Sequence, residues 1–193
     1  MSKILLVNSG KAFSISKGQL NLTFHNVAKE YLLSNGHTVL ETHVDSGYDI
    51  KAEVQKILDA DVLIHQFPFW WMAYPWITKK WIDEVFMEGG GKIYTSDGRH
   101  SDNPTKNYGK GGLMQGKKVM MSITTNAPIE AFDDPNEFFG GIGVDGVFLH
   151  IAKAHEFCGF EKLPTFVSFD VMKNPQVERD IEMYRDHLSK YIK

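Results

Sequence analysis

Cysteine is almost absent from this 193-residue chain: Cys158 stands alone. No internal disulfide can form, and no second thiol is available for a redox or zinc pair, so a reducing compartment is the simplest setting. Long hydrophobic runs are missing too. None approaches the roughly 18 apolar residues of a membrane span, and the opening stretch Met1 to Asn8 is too short for the apolar core of a signal peptide. A cytoplasmic protein without stable membrane insertion is expected. Charge of one sign is scarce, with 21 Lys and Arg against 24 Asp and Glu for a net charge of -3. That balance leaves no basic footprint for nucleic acid or an anionic membrane. The turn after the first apolar run matches neither the dinucleotide fingerprint nor the phosphate-binding P-loop. The eight histidines are scattered, and His150 and His155 are five apart rather than at the helical ligand spacing, so no metal site is expected. No Ser-His-Asp or Cys-His arrangement can be drawn from spacing, and Cys158, between Phe157 and Gly159, reads as a small buried hydrophobe.

Aromatics, by contrast, are plentiful at 12%, and Phe67 to Trp76 holds six of them with two prolines in ten positions. Such a stretch at a strand end offers flat apolar surface to a planar ligand, a flavin foremost. If it runs extended, the adjacent Trp70 and Trp71 point opposite ways, leaving one indole for packing.

Short apolar runs at Ile4 to Asn8, Asp61 to Gln66 and Val119 to Thr124 read as strands buried on both faces. Further strands are expected at Thr38 to His43, after the helix stop Asn35-Gly36, and at Thr165 to Phe169. Between them Leu20, Phe24, Val27 and Tyr31, then Val54, Ile57 and Leu58, then Ile77, Trp81 and Val85 recur at helical spacing. A last helix is expected from about Pro175 to Tyr191. This alternation predicts an α/β fold with a five-stranded parallel sheet in the flavodoxin-like order 2-1-3-4-5 and helices on both faces, as one domain over 1–193. One segment breaks the rhythm. Gly89 to Gly116 carries eight glycines with Tyr94, Arg99 and Tyr108, and a connection of that length reads as a functional loop spanning about 89–117.

Ser16 and Gln19 have capping-box spacing at the start of the first helix, where free amides, hydroxyls and Lys17 suit a phosphate. In the 2-1-3-4-5 order that turn lies beside the aromatic run at the switch point. The next strand ends there as well, in Thr124-Thr125-Asn126-Ala127, whose small polar groups can hydrogen-bond the edge of a flavin ring.

Several motifs carry a family resemblance that runs nearly end to end. They include Ser16-x-Gly18-Gln19-Leu20-Asn21, Tyr48-Asp49-x-Lys51-Ala52-Glu53, Pro68-x-Trp70-Trp71-Met72, Tyr94-x-Ser96-Asp97-Gly98-Arg99, Tyr108-Gly109, Asn126-Ala127-Pro128 and Gly143-Val144-Asp145-Gly146-Val147. With them the chain resembles the bacterial NADPH-dependent members of the flavodoxin-like quinone reductase family. The resemblance implies a homodimer that binds FAD, takes hydride from NADPH and reduces quinones by two electrons in ping-pong fashion, protecting against quinone and oxidative stress. It also implies cofactor contacts from Ser16, Gly18, Gln19, Leu20, Asn21 and Thr23, from Phe69, Trp70, Trp71 and Met72, from Tyr108, and from Thr124, Thr125, Asn126 and Ala127. No catalytic side chain is assigned, because the flavin would carry the hydride. Lys17, Leu22, Phe69 and Thr125 depart from the family pattern, and Phe69 and Thr125 could reshape the wall of the flavin or substrate site. Reduction of azo or nitro compounds on the same flavin, one-electron carriage of flavodoxin type, and a flavin-binding regulatory subunit of a membrane transporter are the other readings.

Overall fold

Strand-forming apolar runs and amphipathic helices alternate along the whole chain, and the computed structural model describes residues 1–193. The strands are β1 (Lys3–Asn8), β2 (Thr38–His43), β3 (Val62–Pro68), β4 (Lys118–Thr124), β5 (Glu161–Lys162) and β6 (Phe166–Ser168). The helices are α1 (Gln19–Ser34), α2 (Ile50–Asp59), α3 (Trp76–Glu88), α4 (Glu130–Asp133), α5 (Gly143–Val147), α6 (Leu149–Phe157) and α7 (Val177–Tyr191). All strands pair in parallel, in the order β2-β1-β3-β4-β5, with β6 also on β4. The expected order holds. The fifth strand expected at Thr165 to Phe169 is present as β6, and the edge gains one more short strand, β5, on the other side of Leu163-Pro164-Thr165. Proline has no N–H for the ladder, so the edge breaks there and resumes at Phe166.

Alternation along the strands sends side chains to two layers. Leu5, Val7, Leu63 and Val119 pack with Val54 and Ile57 of α2 and Trp81 and Val85 of α3. Ile4, Leu6, Ile64 and Met120 pack with Phe24 and Leu32 of α1 and Tyr184 and Leu188 of α7. A smaller aromatic cluster of Phe67, Phe132 and Phe148 closes the carboxyl end of β3 and β4. Helix ends follow local chemistry. Asp49 caps α2 by accepting from Ala52 N–H at 2.8 Å. Gly36, at φ +81°, takes the left-handed position just past α1. The last helix begins at Val177, two residues later than expected.

The Gly-rich connection between α3 and β4 is anchored at its base. Ile93 and Met114 are buried in the core, and a Cβ on Gly112 would come within 2.2 Å of the Cys158 backbone, so only glycine allows this approach. Its exposed tip, near Arg99 and Tyr108, stays at the surface. Cys158 is buried there, and burial pushes its thiol up to about 12. No helix is long and apolar enough to cross a membrane.

Candidate active site

The parallel register brings the carboxyl ends of three strands level: Asn8 lies opposite Gln66, and Gln66 opposite Ser122. Crossovers leave the sheet in opposite directions from this point, so a crevice opens between the β1–α1 and β3–α3 connections. It is an open cleft of about 680 Å³.

One wall is the β1–α1 turn. The capping box expected from Ser16 and Gln19 is not formed. α1 starts at Gln19 behind Gly18, which sits at φ +70° with no side-chain cap, and Ser16 Oγ turns back toward Lys11 O at 3.5 Å. The reason is steric. Gly18 is left-handed against the Lys11 backbone, where a Cβ would lie 3.1 Å away, so the chain enters the helix two residues later than a Ser16 cap requires. The first turn of α1, lined up with Gly18, Gln19, Leu20 and Asn21 along the cleft, therefore keeps amides that no side chain occupies.

The facing wall is the aromatic run. It is not extended past Trp70: Trp70 and Ala73 exchange backbone hydrogen bonds of 2.8 and 3.0 Å around Trp71 and Met72, both at positive φ (+46° and +63°). Adjacent tryptophans thus part because a tight turn intervenes, not because of pleat alternation. Trp71 stands at the tip, 94% exposed. Trp70 instead leans on Phe13 across the cleft at 5.8 Å, and Trp76 meets Phe13 edge-on at 4.9 Å. Phe13 belongs to a second tight turn, Phe13 to Ser16, with Ser14 at φ +53°. Two strained turns thus flank one mouth, as backbone strain commonly does at functional sites.

Beneath the walls runs a buried amide network. Gln66 Nε2 donates to Asn21 Oδ1 at 2.9 Å, and Asn21 Nδ2 donates to Thr124 Oγ1 at 3.1 Å, joining β3, α1 and β4. Gln66 Oε1 is left without a partner. Phe69 N–H donates to Thr124 O at 2.8 Å, tying the aromatic turn to the β4 end.

Of the residues expected at a site, Ser16, Gly18, Gln19, Leu20, Asn21, Phe69, Trp70, Trp71, Thr124 and Asn126 line this cleft. Five others do not. Thr23 Oγ1 donates to Gln19 O within α1, Met72 is half-exposed in the turn, Thr125 is buried beneath the β4 end with its Oγ1 accepting from Ala127 N–H, and Ala127 packs against the Phe67 cluster. Tyr108 packs on Phe157 at 5.7 Å, with Arg99 over its ring. Phe13, Ser14, Ile15, Lys17, Pro68, Val171 and Met172 also line the cleft. Val171 and Met172 follow β6, whose end is tied to β4 by Val171 N–H on Thr125 O at 3.1 Å. The rule that ligands gather at the carboxyl ends of parallel strands, applied to the last strand too, was the available signal for them.

An open parallel sheet with its cleft at the switch point defines a doubly wound α/β protein. The chain belongs to the flavodoxin-like fold family, whose model matches residues 2–192. It is 55% identical over 187 residues to the NADPH:quinone oxidoreductase MdaB of Haemophilus influenzae, covering 97% of each chain. It is 52% identical over 187 residues to an uncharacterised protein of Schizosaccharomyces pombe, covering 97% of this chain and 95% of the other. Among solved structures, a candidate quinone reductase from Klebsiella pneumoniae is similar with a TM-score of 0.82 at 26% identity, over 100% of this chain and 86% of that one.

Proposed function

We propose that this protein is an NADPH:quinone oxidoreductase that uses FAD. The observation carrying the reading is the two-ended cleft, anion-seeking at α1 and aromatic at the β3–α3 turn. The reaction itself is brought by the end-to-end likeness to an NADPH:quinone oxidoreductase. The residues present fit a flavin nucleotide. Uncapped amides of Gly18 to Asn21, the hydroxyls of Ser14 and Ser16, and Lys17 suit the phosphates. The Phe69 to Trp71 backbone with Thr124 and Asn126 suits a ring edge, and Trp70 and Phe13 supply the apolar wall. When bound, FAD accepts hydride from NADPH and delivers two electrons to a quinone.

The protein's share of the work is placement. The Gln66–Asn21–Thr124 network holds the cleft ends of β3, α1 and β4 at one separation, so donor and acceptor meet a preorganised surface. A single mouth serves both substrates in turn, which is the basis for ping-pong kinetics. The exposed apolar Trp71, Met72, Trp76 and Phe138 support a homodimer that shields the mouth. FAD in preference to FMN follows from the family resemblance.

The test is an absorbance spectrum of the purified protein, chromatography of the released cofactor, and turnover with NADPH and a simple quinone. FAD with turnover and parallel double-reciprocal lines is the expected result. Absence of any bound or bindable flavin overturns the reading, FMN overturns its FAD part, and intersecting lines overturn the shared mouth. Faster turnover of an azo or nitro compound than of any quinone would reassign the substrate.

A further inference from the structure

Away from the cleft, one helix residue and two edge-strand residues converge on a single oxygen. Glu41 and His43 are two apart on β2 and so project from one face, the face on which Val39 packs with the core beneath α1. α1 lays His25 over them. His25 Nε2 lies 2.8 Å from Glu41 Oε2, His43 Nε2 lies 3.9 Å from the same oxygen, and the three ligand atoms all fall within 4.8 Å of one another. The other carboxylate oxygen is engaged elsewhere: Lys29 Nζ sits 2.7 Å from Oε1. That ion pair orients Glu41 and leaves Oε2 facing the two imidazoles, as an outer partner does for a ligating carboxylate. The His25 side chain is wholly buried, whereas Glu41 and His43 are 28% and 41% exposed, so the cluster is open from the sheet edge.

Two imidazoles and a carboxylate are the donor set of a borderline divalent cation, with water completing a tetrahedron. With bonds of about 2.0 Å, ligands in such a site stand about 3.3 Å apart. The exposed His43 side chain has the freedom to close its gap. In the present arrangement His25 Nε2–H donates to Glu41. Freeing Nε2 for a cation moves that proton to Nδ1, which is buried with no partner, so no hydrogen bond at Nδ1 is broken.

We propose that His25, Glu41 and His43 bind a divalent transition cation, Zn²⁺ foremost, which clips α1 to the edge strand β2. The site is separate from the cleft and independent of the reaction assigned to it.

Titration of the flavin-loaded protein with Zn²⁺ against a chromophoric chelator tests it, alongside His43→Ala, Glu41→Gln and a control, His100→Ala, taken from the exposed loop tip. The expected result is one equivalent bound per chain, affinity weakened by on the order of tenfold or more in both cluster variants, and no change in the control. Zn²⁺ should also raise the thermal midpoint of the parent and not of His43→Ala. No binding by the parent overturns the proposal. So does a loss smaller than about tenfold in a variant whose far-ultraviolet spectrum is native. If one cluster variant fails to fold, the other decides.

Discussion

Two polar networks are built into this sheet, and they are finished differently. On the α2–α3 side the carboxylate of Glu53, 1% exposed, accepts from Thr42 Oγ1 at 2.7 Å, Trp81 Nε1 at 2.9 Å and Lys56 Nζ at 2.6 Å. Its charge is paired and its lone pairs are used. At the cleft, Asn21, Gln66 and Thr124 satisfy one another but leave Gln66 Oε1 unpartnered. Beside them stand uncapped helix amides and positive-φ turns. The closed network holds elements together. The open one holds loops apart with binding capacity to spare, which is what a preorganised site requires.

Four perturbations separate the closed network from the open one, from the largest effect down. The first acts on the closed side through pH. His65 Nε2 and His155 Nε2 are 2.9 Å apart in the core, and His155 Nδ1 is paired with Ile151 O. Burial holds His155 down to about 4, and burial together with neighbouring His155 holds His65 well below its usual value. The unfolded chain therefore takes up protons first as pH falls. Stability is fully present above about 6.5 and is lost as pH drops from there toward 4, by about 2 kcal/mol for His155 at pH 5 with a further loss in the same direction from His65. Urea melts at pH 7 and pH 5 should show this, with a smaller difference in His155→Gln. Some slope remains there because burial also lowers His65, His25 and His187.

The second is Glu53→Ala, which strands Lys56, the Trp81 indole and Thr42. A loss of about 3 kcal/mol in urea melts is expected, with cofactor affinity per folded molecule nearly unchanged. The third is Asn21→Ala, which removes the centre of the open network. About 2 kcal/mol of stability should go, and here the cofactor should dissociate more readily, read by fluorescence of the released flavin. The smallest effect on stability is Trp71→Ala. At 94% exposure the indole contributes little, and the urea midpoint should shift by less than about 0.5 kcal/mol equivalent, while self-association measured by sedimentation weakens. A Trp71→Ala variant that melted like Glu53→Ala would erase the distinction between the two regions.

Most of the fold was legible because its signals are local. Ile4 to Asn8 and Val119 to Thr124 are continuous apolar runs that only a sheet covered on both faces can bury, and Asn35-Gly36 marks a helix end by its own backbone preference. The divided edge strand was written in Pro164, yet it became visible only when Glu161–Lys162 and Phe166–Ser168 both found β4. The neighbourhood of the cleft was legible in outline. Ser16 to Asn21 and Phe69 to Trp71 face one another because strand order makes them neighbours, and that order could be inferred from the alternation of elements.

What failed was local geometry read without its surroundings. Ser16 and Gln19 have capping-box spacing, but Gly18 against Lys11 moves the helix start, and Trp71 and Met72 leave the extended conformation because the Trp70–Ala73 turn is held by two backbone hydrogen bonds. Periodicity and residue type alone determined the parallel sheet, its order, its two core layers and the neighbourhood of the cleft. Only the tertiary structure decided which groups in that neighbourhood stay unpaired. It also decided that His25, distant in sequence from Glu41 and His43, meets them across α1 and β2. The physical reason is range: hydrogen-bond propensity and hydrophobic period act over a few residues, whereas satisfaction of a buried donor or acceptor is settled by partners tens of residues away.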